Sequence, residues 1–539
     1  MFVYIILLIL ISIVIIIESK KSLHMLQQNL YNENNRYLKW IAKNKNNLLN
    51  IQLIAIFITI ISLFGIFKVE TVSFIFMLIL IGCYAYEGYS LSEKSKNEKT
   101  KKPLVITKRV KRLIITTTVL YLIPIIILIF KYNNNNYNVW LLLLVFEIMS
   151  YLNLFVVFVS KIINTPYEKG VYYYYLNKAK NTLKNRSNLK VVGITGSYGK
   201  TSSKNILSDI LNIKYNTLPT PKNLNTPNGL MITINNHLDK FTEVFIAEMG
   251  AYVRGEIKKL CDLVHPRYGI LTTIGTAHLE SFGSEENIQK AKFELIESLP
   301  SDGIGILNGD DKKQTSYELK NDVKTIWIGI DNKDVDVRAV DIKCNNKGTS
   351  FKVIFKGDKT KYEFQTKLLG KHNVYNILAG IALGREFGID IKDLQHAVRG
   401  VNSIEHRLEL KRIGNFYQID DAYNSNPVGA KGAVEVLGMM PGVKVCVTPG
   451  MIELGNKEAE YNKIFGTQIA DYADYVVLVG EKQSKPIYEG LIEKGFDKEH
   501  IIVYNDVREA YKFISALAVN TKEDVYALFE NDLPDTYNE

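Results

Sequence analysis

The sequence predicts a chain in three parts. An N-terminal α-helical membrane region is followed by an α/β ATPase domain of the P-loop type on a parallel sheet, then by a smaller Rossmann-like α/β domain. Three observations lead there. Long apolar runs crowd the first 160 residues, a strand, glycine-rich turn and Lys-Thr pair occupy 190–201, and short apolar strands then alternate with helical periodicity. A length of 539 residues agrees with several domains.

The membrane region rests on five runs: Met1–Ile17, Leu48–Phe67, Thr71–Tyr86, Leu113–Phe130 and Val139–Ser160. A bilayer core takes roughly 20 apolar residues of helix, so four runs are long enough and the third is short. The first lacks the basic flank and small-residue cleavage site of a signal peptide. Glu147 interrupts the fifth run, where a carboxylate is costly. The net charge of +10 is unevenly placed. Residues 1–190 hold 24 Lys and Arg against 8 Asp and Glu, a balance of +16, and the remainder is acidic. Basic residues in the most apolar third fit a membrane surface better than nucleic acid. They concentrate in segments 18–47 and 87–112, whereas the alternate loops carry little beyond Lys68 and Lys131 beside Asn133–Asn136. By the positive-inside rule this predicts a multi-pass protein of the cytoplasmic membrane, N-terminus outside, with everything after Ser160 in the cytoplasm. Tyr172–Tyr175, Lys178, Lys180, Lys184 and Arg186 suit a helix at headgroup level. The expected boundaries are 1–165 for the membrane region, 166–187 for a basic, aromatic linker, 188–400 for the ATPase domain and 401–539 for the last domain.

Scattered cysteines (Cys83, Cys261, Cys344, Cys446) and histidines without a paired spacing argue against a disulfide framework or zinc site. Any metal should be a hard, oxygen-ligated cation. The run Lys190–Ile194 reads as a strand, and Thr195, Gly196, Ser197, Tyr198, Gly199, Lys200 and Thr201 lead into a helical pattern. Backbone N–H groups in such a turn approach phosphate oxygens, the lysine reaches the β- and γ-phosphates, and the threonine hydroxyl ligates Mg²⁺. The strict spacing is not met, because Gly193 precedes Gly199 by six positions. Downstream, Phe245–Glu248 is a strand ending in a carboxylate, and Tyr268–Ile274 runs into His278. Lys292 lies on a predicted helix, and Val335–Lys367 reads as a hairpin-rich insertion.

These pieces, with Asn223–Gly229, Glu248–Ile257, Ile274–Ser284, Ala291–Glu294, Leu307–Asp311, Gly370–Asn376, Glu405–Glu409, Asp420–Pro427 and Met451–Gly455, resemble the Mur ligases. That family comprises the ATP-dependent amide-forming enzymes of peptidoglycan precursor synthesis, and the motifs stand in its order over roughly 188–460. The branch resembled adds D-alanyl-D-alanine to a muramoyl tripeptide through an acyl phosphate. The resemblance implies two Mg²⁺ ions. It assigns Lys200 and Thr201 to phosphates and metal, Glu248 and His278 to metal positioning, and Lys292 to a carbamylated lysine that helps hold the second ion. It places His372, Asn373 and Asn376 at adenine, Arg407 at the γ-phosphate, Asp421 at ribose or the domain hinge, and Asn223, Asn225 and Thr226 at the substrate. Asn424 and Asn426 shape their loop.

Two departures from the family pattern bear on the substrate. Apolar spans stand where soluble members carry a UDP-gripping domain, which brings a lipid-linked acceptor into consideration beside the UDP-linked one. Gly450 replaces a usual acid, and Leu528–Asp535 lacks the expected basic motif. The alternatives are an amide ligase for a poly-γ-glutamate-type acceptor and a non-catalytic scaffold, which would not need Lys200, Thr201, Glu248, His278, Lys292 and Arg407 together.

Overall fold

The computed structural model describes residues 2–29, 31, 35–43, 51–63, 70–97, 103–130, 136–403, 405–422, 425–452, 454 and 457–531. Asn133–Asn135, Asn424, Gly455 and the end of the acidic tail from Asp532 lie outside them. The chain forms two compact units, residues 1–174 and 175–539, with the boundary inside the helix Asn153–Lys184.

The first unit is helical: Phe2–Gln28, Arg36–Lys43, Ile51–Leu63, Glu70–Asn97, Lys108–Phe130, Asn136–Tyr151 and the start of Asn153–Lys184. Leu7, Ile11, Leu80, Leu143 and Phe146 pack inside it, while Ile5, Ile9, Ile16, Phe57 and Ile115 face outward. Exposed aliphatic side chains of this number suit an apolar solvent rather than water. Among the described residues two helices are long and apolar enough to cross a membrane, Val3–Gln28 and Ser73–Lys94, and a third if the pair Trp140–Tyr151 and Asn153–Lys184 counts as one.

The expected five spans thus differ from the described helices in two places. Among the described residues the second run supplies the 13-residue helix Ile51–Leu63, and the short third run belongs to a 28-residue helix, Glu70–Asn97. The fifth run is bent by 81° at Leu152. At that bend the Asn153 amide is held by three other polar groups, donating to Ser19 Oγ (2.8 Å) and the Tyr121 hydroxyl (2.9 Å) and accepting from Ser22 (2.7 Å). Glu147 is buried, with neither carboxylate oxygen hydrogen-bonded among the described residues.

The second unit carries two sheets. The first contains β1 (Lys190–Thr195), β2 (Thr217–Pro219), β3 (Val244–Glu248), β4 (Tyr268–Leu271), β5 (Ile304–Asn308), β6 (Lys324–Gly329), β7 (Val337–Asn345), β8 (Gly348–Phe355) and β9 (Tyr362–Thr366), in the order β2-β3-β1-β4-β5-β6-β7-β8-β9. Strands β2 through β7 pair in parallel, and β7, β8 and β9 form the antiparallel meander expected for the insertion. Apolar runs such as Val244–Ala247 are buried throughout, as strands covered by helices on both faces must be. The second sheet contains β10 (Glu409–Ile413), β11 (Phe416–Asp421), β12 (Val443–Thr448), β13 (Tyr475–Val479), β14 (Ile501–Tyr504) and β15 (Val525–Glu530), in the order β10-β11-β15-β12-β13-β14, parallel except for the hairpin β10-β11. The last four strands fall on the apolar runs Val443–Val447, Tyr475–Val479, Ile501–Tyr504 and Val525–Phe529, which the sequence alone marks as strands. The hairpin was not anticipated, because three of the five residues of its outer strand, Glu409, Lys411 and Arg412, are charged and break the alternation that marks a strand.

Candidate active site

In a parallel sheet, ligands bind beyond the carboxyl ends of the strands. The central β1 ends at Thr195, its neighbour β3 ends at Glu248, and Ile194 pairs with Glu248 across the ladder. The turn after β1 is packed against the end of β4. Thr195 N–H and C=O lie in the sheet, its hydroxyl donates to Met249 O (2.9 Å), and its carbonyl accepts from Thr272 N (2.9 Å). Ser197 N donates to Thr273 O (2.8 Å), and the Thr272 hydroxyl donates to Tyr198 O (2.7 Å). Gly196 has φ +153°, and a Cβ there would stand 1.9 Å from Thr272 Oγ1, so no side chain fits. Gly199 (φ +79°) caps the helix Lys200–Leu211, whose N-terminus and free amides face the turn.

Lys200 Nζ donates to the Gly196 carbonyl (2.8 Å) and the Ser197 carbonyl (3.2 Å). Burial holds its amine below the usual lysine range against the pull of Glu248, and Arg407 pushes the same way as burial. Thr201 Oγ1 donates to Glu248 Oε1 (3.3 Å), and Asn225 Nδ2 donates to the same oxygen (3.1 Å). The other oxygen, Oε2, meets Lys204 Nζ at 2.9 Å, in a pair only 2% exposed on either side. Lys204 also donates to Lys222 O (2.6 Å). This lysine was missed from the sequence, although it lies one turn beyond Thr201 on the same helix face. Without it Glu248 would be an uncompensated buried charge.

His278 takes a left-handed conformation (φ +59°), and its ring lies 4.5 Å from that of Tyr252. Desolvation and the cations Lys200 and Lys292 hold its imidazole below the usual range. Lys292, on the helix Glu285–Glu297, is 2% exposed, with Nζ 5.5 Å from the Phe282 ring. Burial first, and Lys200 second, bring its amine down to about 7. The structure therefore gathers Lys200, Thr201, Glu248, His278 and Lys292 at one end of the sheet.

The donor set decides which cation fits. Among the described residues no three His, Cys, Asp or Glu side chains converge as a metal cage. One carboxylate, one hydroxyl and one imidazole instead suit a hard ion that takes its remaining ligands from phosphate oxygens and water, the ordinary habit of Mg²⁺. The expected set fits that ion.

Beside the loop a cavity of about 400 Å³ lies between the two sheets of this unit. Tyr198, Gly199, His372, Asn376, Arg407 and Asp421 of the expected nucleotide residues line it, together with Asn426, whereas Lys200 and Thr201 stand outside its wall. Asn373 is absent from that wall; its amide donates to Leu369 O (2.9 Å) and fastens the start of the helix Lys371–Glu386. Asn426 caps the helix Pro427–Gly438 through Gly429 N (3.0 Å). Of the expected substrate residues, Asn225 is engaged with Glu248, Thr226 caps the helix Pro227–Asn236, and Asn223 is exposed in the preceding turn.

The cavity wall also contains Glu530, another residue the sequence reading passed over. Parallel pairing of β11 with β15 sets Asp421 opposite Glu530. Burial raises both carboxyls: it brings Asp421 up to about 6 against the hydrogen bond from Glu530, and the Asp421 charge raises Glu530 further, while Ser425 donates to Glu530 and Leu408 N to Asp421 (3.2 Å). Gly450 has φ +91°, and its carbonyl accepts from Asn531 Nδ2 (2.7 Å), so backbone shape accounts for glycine at this position.

A phosphate-cradling turn and a two-sheet cleft, with buried lysines around a metal-competent carboxylate, define a nucleotide-binding protein of modular α/β build. Residues 194–384 match the Mur ligase middle domain and residues 406–528 the Mur ligase glutamate ligase domain. The chain is 34% identical over 346 residues to the UDP-N-acetylmuramoyl-tripeptide–D-alanyl-D-alanine ligase of Bacillus subtilis (strain 168), covering 63% of this chain and 72% of that one. It is 32% identical over 318 residues to the Escherichia coli (strain K12) enzyme of the same name, covering 58% and 70%. The chain belongs to the Mur ligase family. In three dimensions it is similar to MurF from Acinetobacter baumannii (TM-score 0.59, 26% identity, 67% of this chain and 77% of that one). It is also similar to the MurF ligase from Thermotoga maritima in complex with ADP (TM-score 0.57, 27% identity, 67% and 80%).

Proposed function

We propose that the chain joins D-alanyl-D-alanine to a muramoyl tripeptide at the expense of ATP. The observation that carries this reading is the convergence of Lys200, Thr201, Glu248, His278 and Lys292 beside the cleft, in a chain 34% identical to a ligase of that name. The tripeptide carboxylate attacks the γ-phosphorus, giving an acyl phosphate and ADP. The dipeptide amine then attacks the acyl carbon, and inorganic phosphate leaves as the amide forms. Such transfer is accelerated chiefly by positioning and by neutralising phosphate charge.

Lys200 and the amides of Gly196–Thr201 would receive the β- and γ-phosphates, His372 and Asn376 the adenine, Asp421 the ribose, and Arg407 the γ-phosphate. Thr201, Glu248 and His278 would hold Mg²⁺, which when bound withdraws charge from the phosphates. The Lys292 amine, deprotonated near neutrality, would add CO₂ at nitrogen and lose a proton. The resulting carbamate would bring a negative charge next to Lys200 and serve a second Mg²⁺.

The first unit is read as a multi-pass anchor in the cytoplasmic membrane, with the N-terminus outside and the ligase in the cytoplasm, on the strength of the basic segments 18–47 and 87–112. The acceptor is UDP-linked or, at such a membrane, lipid-linked. Domain limits of 1–165, 166–187, 188–400 and 401–539 accompany this reading.

Phosphate release from membranes containing the full chain tests it. Turnover should require both muramoyl tripeptide and D-Ala-D-Ala, fail with poly-γ-glutamate acceptors, and vanish in Lys200→Ala. Unchanged hydrolysis without any acceptor would defeat the ligase reading.

A further inference from the structure

A second cavity, of about 440 Å³, lies in the same unit away from the chemistry. Its floor is apolar, formed by Leu183, Leu189, Val191 and Leu263, and its rim carries Lys180, Lys184, Arg186 and His265. Val191 is the second residue of β1, whereas the phosphate turn leaves the other end of that strand. At ~3.3 Å per residue the two sites stand on the order of 13 Å apart along β1, at opposite edges of the sheet. The occupant is therefore not the acceptor that meets ATP.

The rim is free to receive a charge. Lys180 and Lys184, one helical turn apart and exposed, make no ion pair among the described residues. Arg186 is partly engaged, donating from Nη2 to Thr242 O (2.8 Å). His265 is exposed, in a left-handed conformation that ends the helix Glu256–Val264. The floor is rigid, since Leu183 and Leu189 pack on the core that contains Val191, Leu263 and Val264. Cations above a fixed apolar surface complement a ligand with an anionic head and a hydrocarbon body. The same helix carries Tyr172–Tyr175 just before these lysines, an aromatic-then-basic order suited to an interface.

We propose that this cavity binds the headgroup phosphate of an anionic phospholipid, with the upper acyl chain against Leu183 and Leu263. The proposal rests on the reading of the first unit as a membrane anchor, and the test separates the two. The full chain in phosphatidylcholine nanodiscs is given a trace of photo-crosslinking phosphatidylglycerol or phosphatidylcholine, and crosslinked peptides are mapped. Phosphatidylglycerol should label the segments around Lys180–Val191 and Leu263–His265 in preference to phosphatidylcholine. Lys180→Gln and Lys184→Gln should each reduce that labelling about fivefold, leaving phosphate release in the presence of both substrates intact. Equal labelling by the two lipids, or labelling unchanged in both variants, overturns the proposal. So does its displacement by millimolar inorganic phosphate, which would mark a phosphate site instead. Retention of the chain in the membrane at alkaline pH is scored separately. A chain that is extracted but still labelled by phosphatidylglycerol defeats only the anchor; one that is retained but labelled indifferently defeats only the lipid site.

Discussion

Replacing Lys292 with methionine removes a charge while keeping most of the volume of a side chain that is 2% exposed. In the unfolded chain this lysine holds its proton to about pH 10.5, and in the folded protein only to about 7. At ~1.4 kcal/mol per pH unit, folding forfeits on the order of 3–5 kcal/mol when the amine must stay protonated. The sign follows from proton counting. Between pH 7 and 10.5 the unfolded state retains a proton that the folded state has released, so stability from this group climbs with pH. Below pH 7 both states are protonated, and the penalty is full and constant.

Methionine titrates nowhere. The difference in stability, wild type minus Lys292→Met, should therefore rise by roughly 1 kcal/mol per pH unit between pH 7 and 9.5 in CO₂-free buffer. Near pH 7 the variant should be the more stable protein although its ligase activity is lost. Trp327 is the only tryptophan beyond residue 175, so urea titration of a Trp40→Phe, Trp140→Phe background reads the catalytic unit alone. Bicarbonate should stabilise the wild type through the carbamate and leave the variant unmoved. Parallel stability curves across that pH range, with and without bicarbonate, would refute the assignment of Lys292 as a buried, neutral amine.

Lys204→Met should cost roughly 3–5 kcal/mol by stranding the Glu248 charge, and Glu248→Gln added to it should recover much of that loss; a double-mutant cycle in the same urea assay measures the coupling. Gly196→Ala puts a methyl carbon into Thr272 Oγ1, so nucleotide affinity measured by titration calorimetry should fall at least tenfold while the fold persists. Asp421, raised from 3.8 to about 6, binds a proton in the folded state that the unfolded chain releases, so its contribution to stability is lost as pH rises from 4 through 6. Asp421→Asn should accordingly stabilise the catalytic unit at pH 7.5 relative to wild type, with the advantage shrinking below pH 5.

How far the sequence could be read depended on whether a feature was local. The phosphate turn announces itself because its glycines, lysine and threonine are consecutive, and the parallel core because buried strands such as Val244–Ala247 are unbroken apolar runs. The partners of those residues are set by pairing across the sheet. Glu248 was legible as a strand-end carboxylate, but its buried pairing with Lys204 depends on which face of Lys200–Leu211 turns toward β3. Asn225 was assigned to substrate by its motif, and its hydrogen bond to Glu248 comes from the fold and was not visible in the motif. The fifth membrane run departs for the same reason: composition measured apolar length, whereas the polar contacts of Asn153 with Ser19, Ser22 and Tyr121 accompany the break in that helix.

Glu530 carries that argument furthest. At the sequence level it belonged to an acidic C-terminal stretch with no visible function, more than a hundred residues from Asp421. Parallel pairing of β11 with β15 sets the two carboxyls in register at the cavity wall, where burial makes holding both charges costly. A proton held between them relieves the repulsion, so burial and register together push this wall of the nucleotide cleft toward holding a proton at higher pH than an exposed carboxylate would. That property arises from the register of two strands, and neither residue alone would have it.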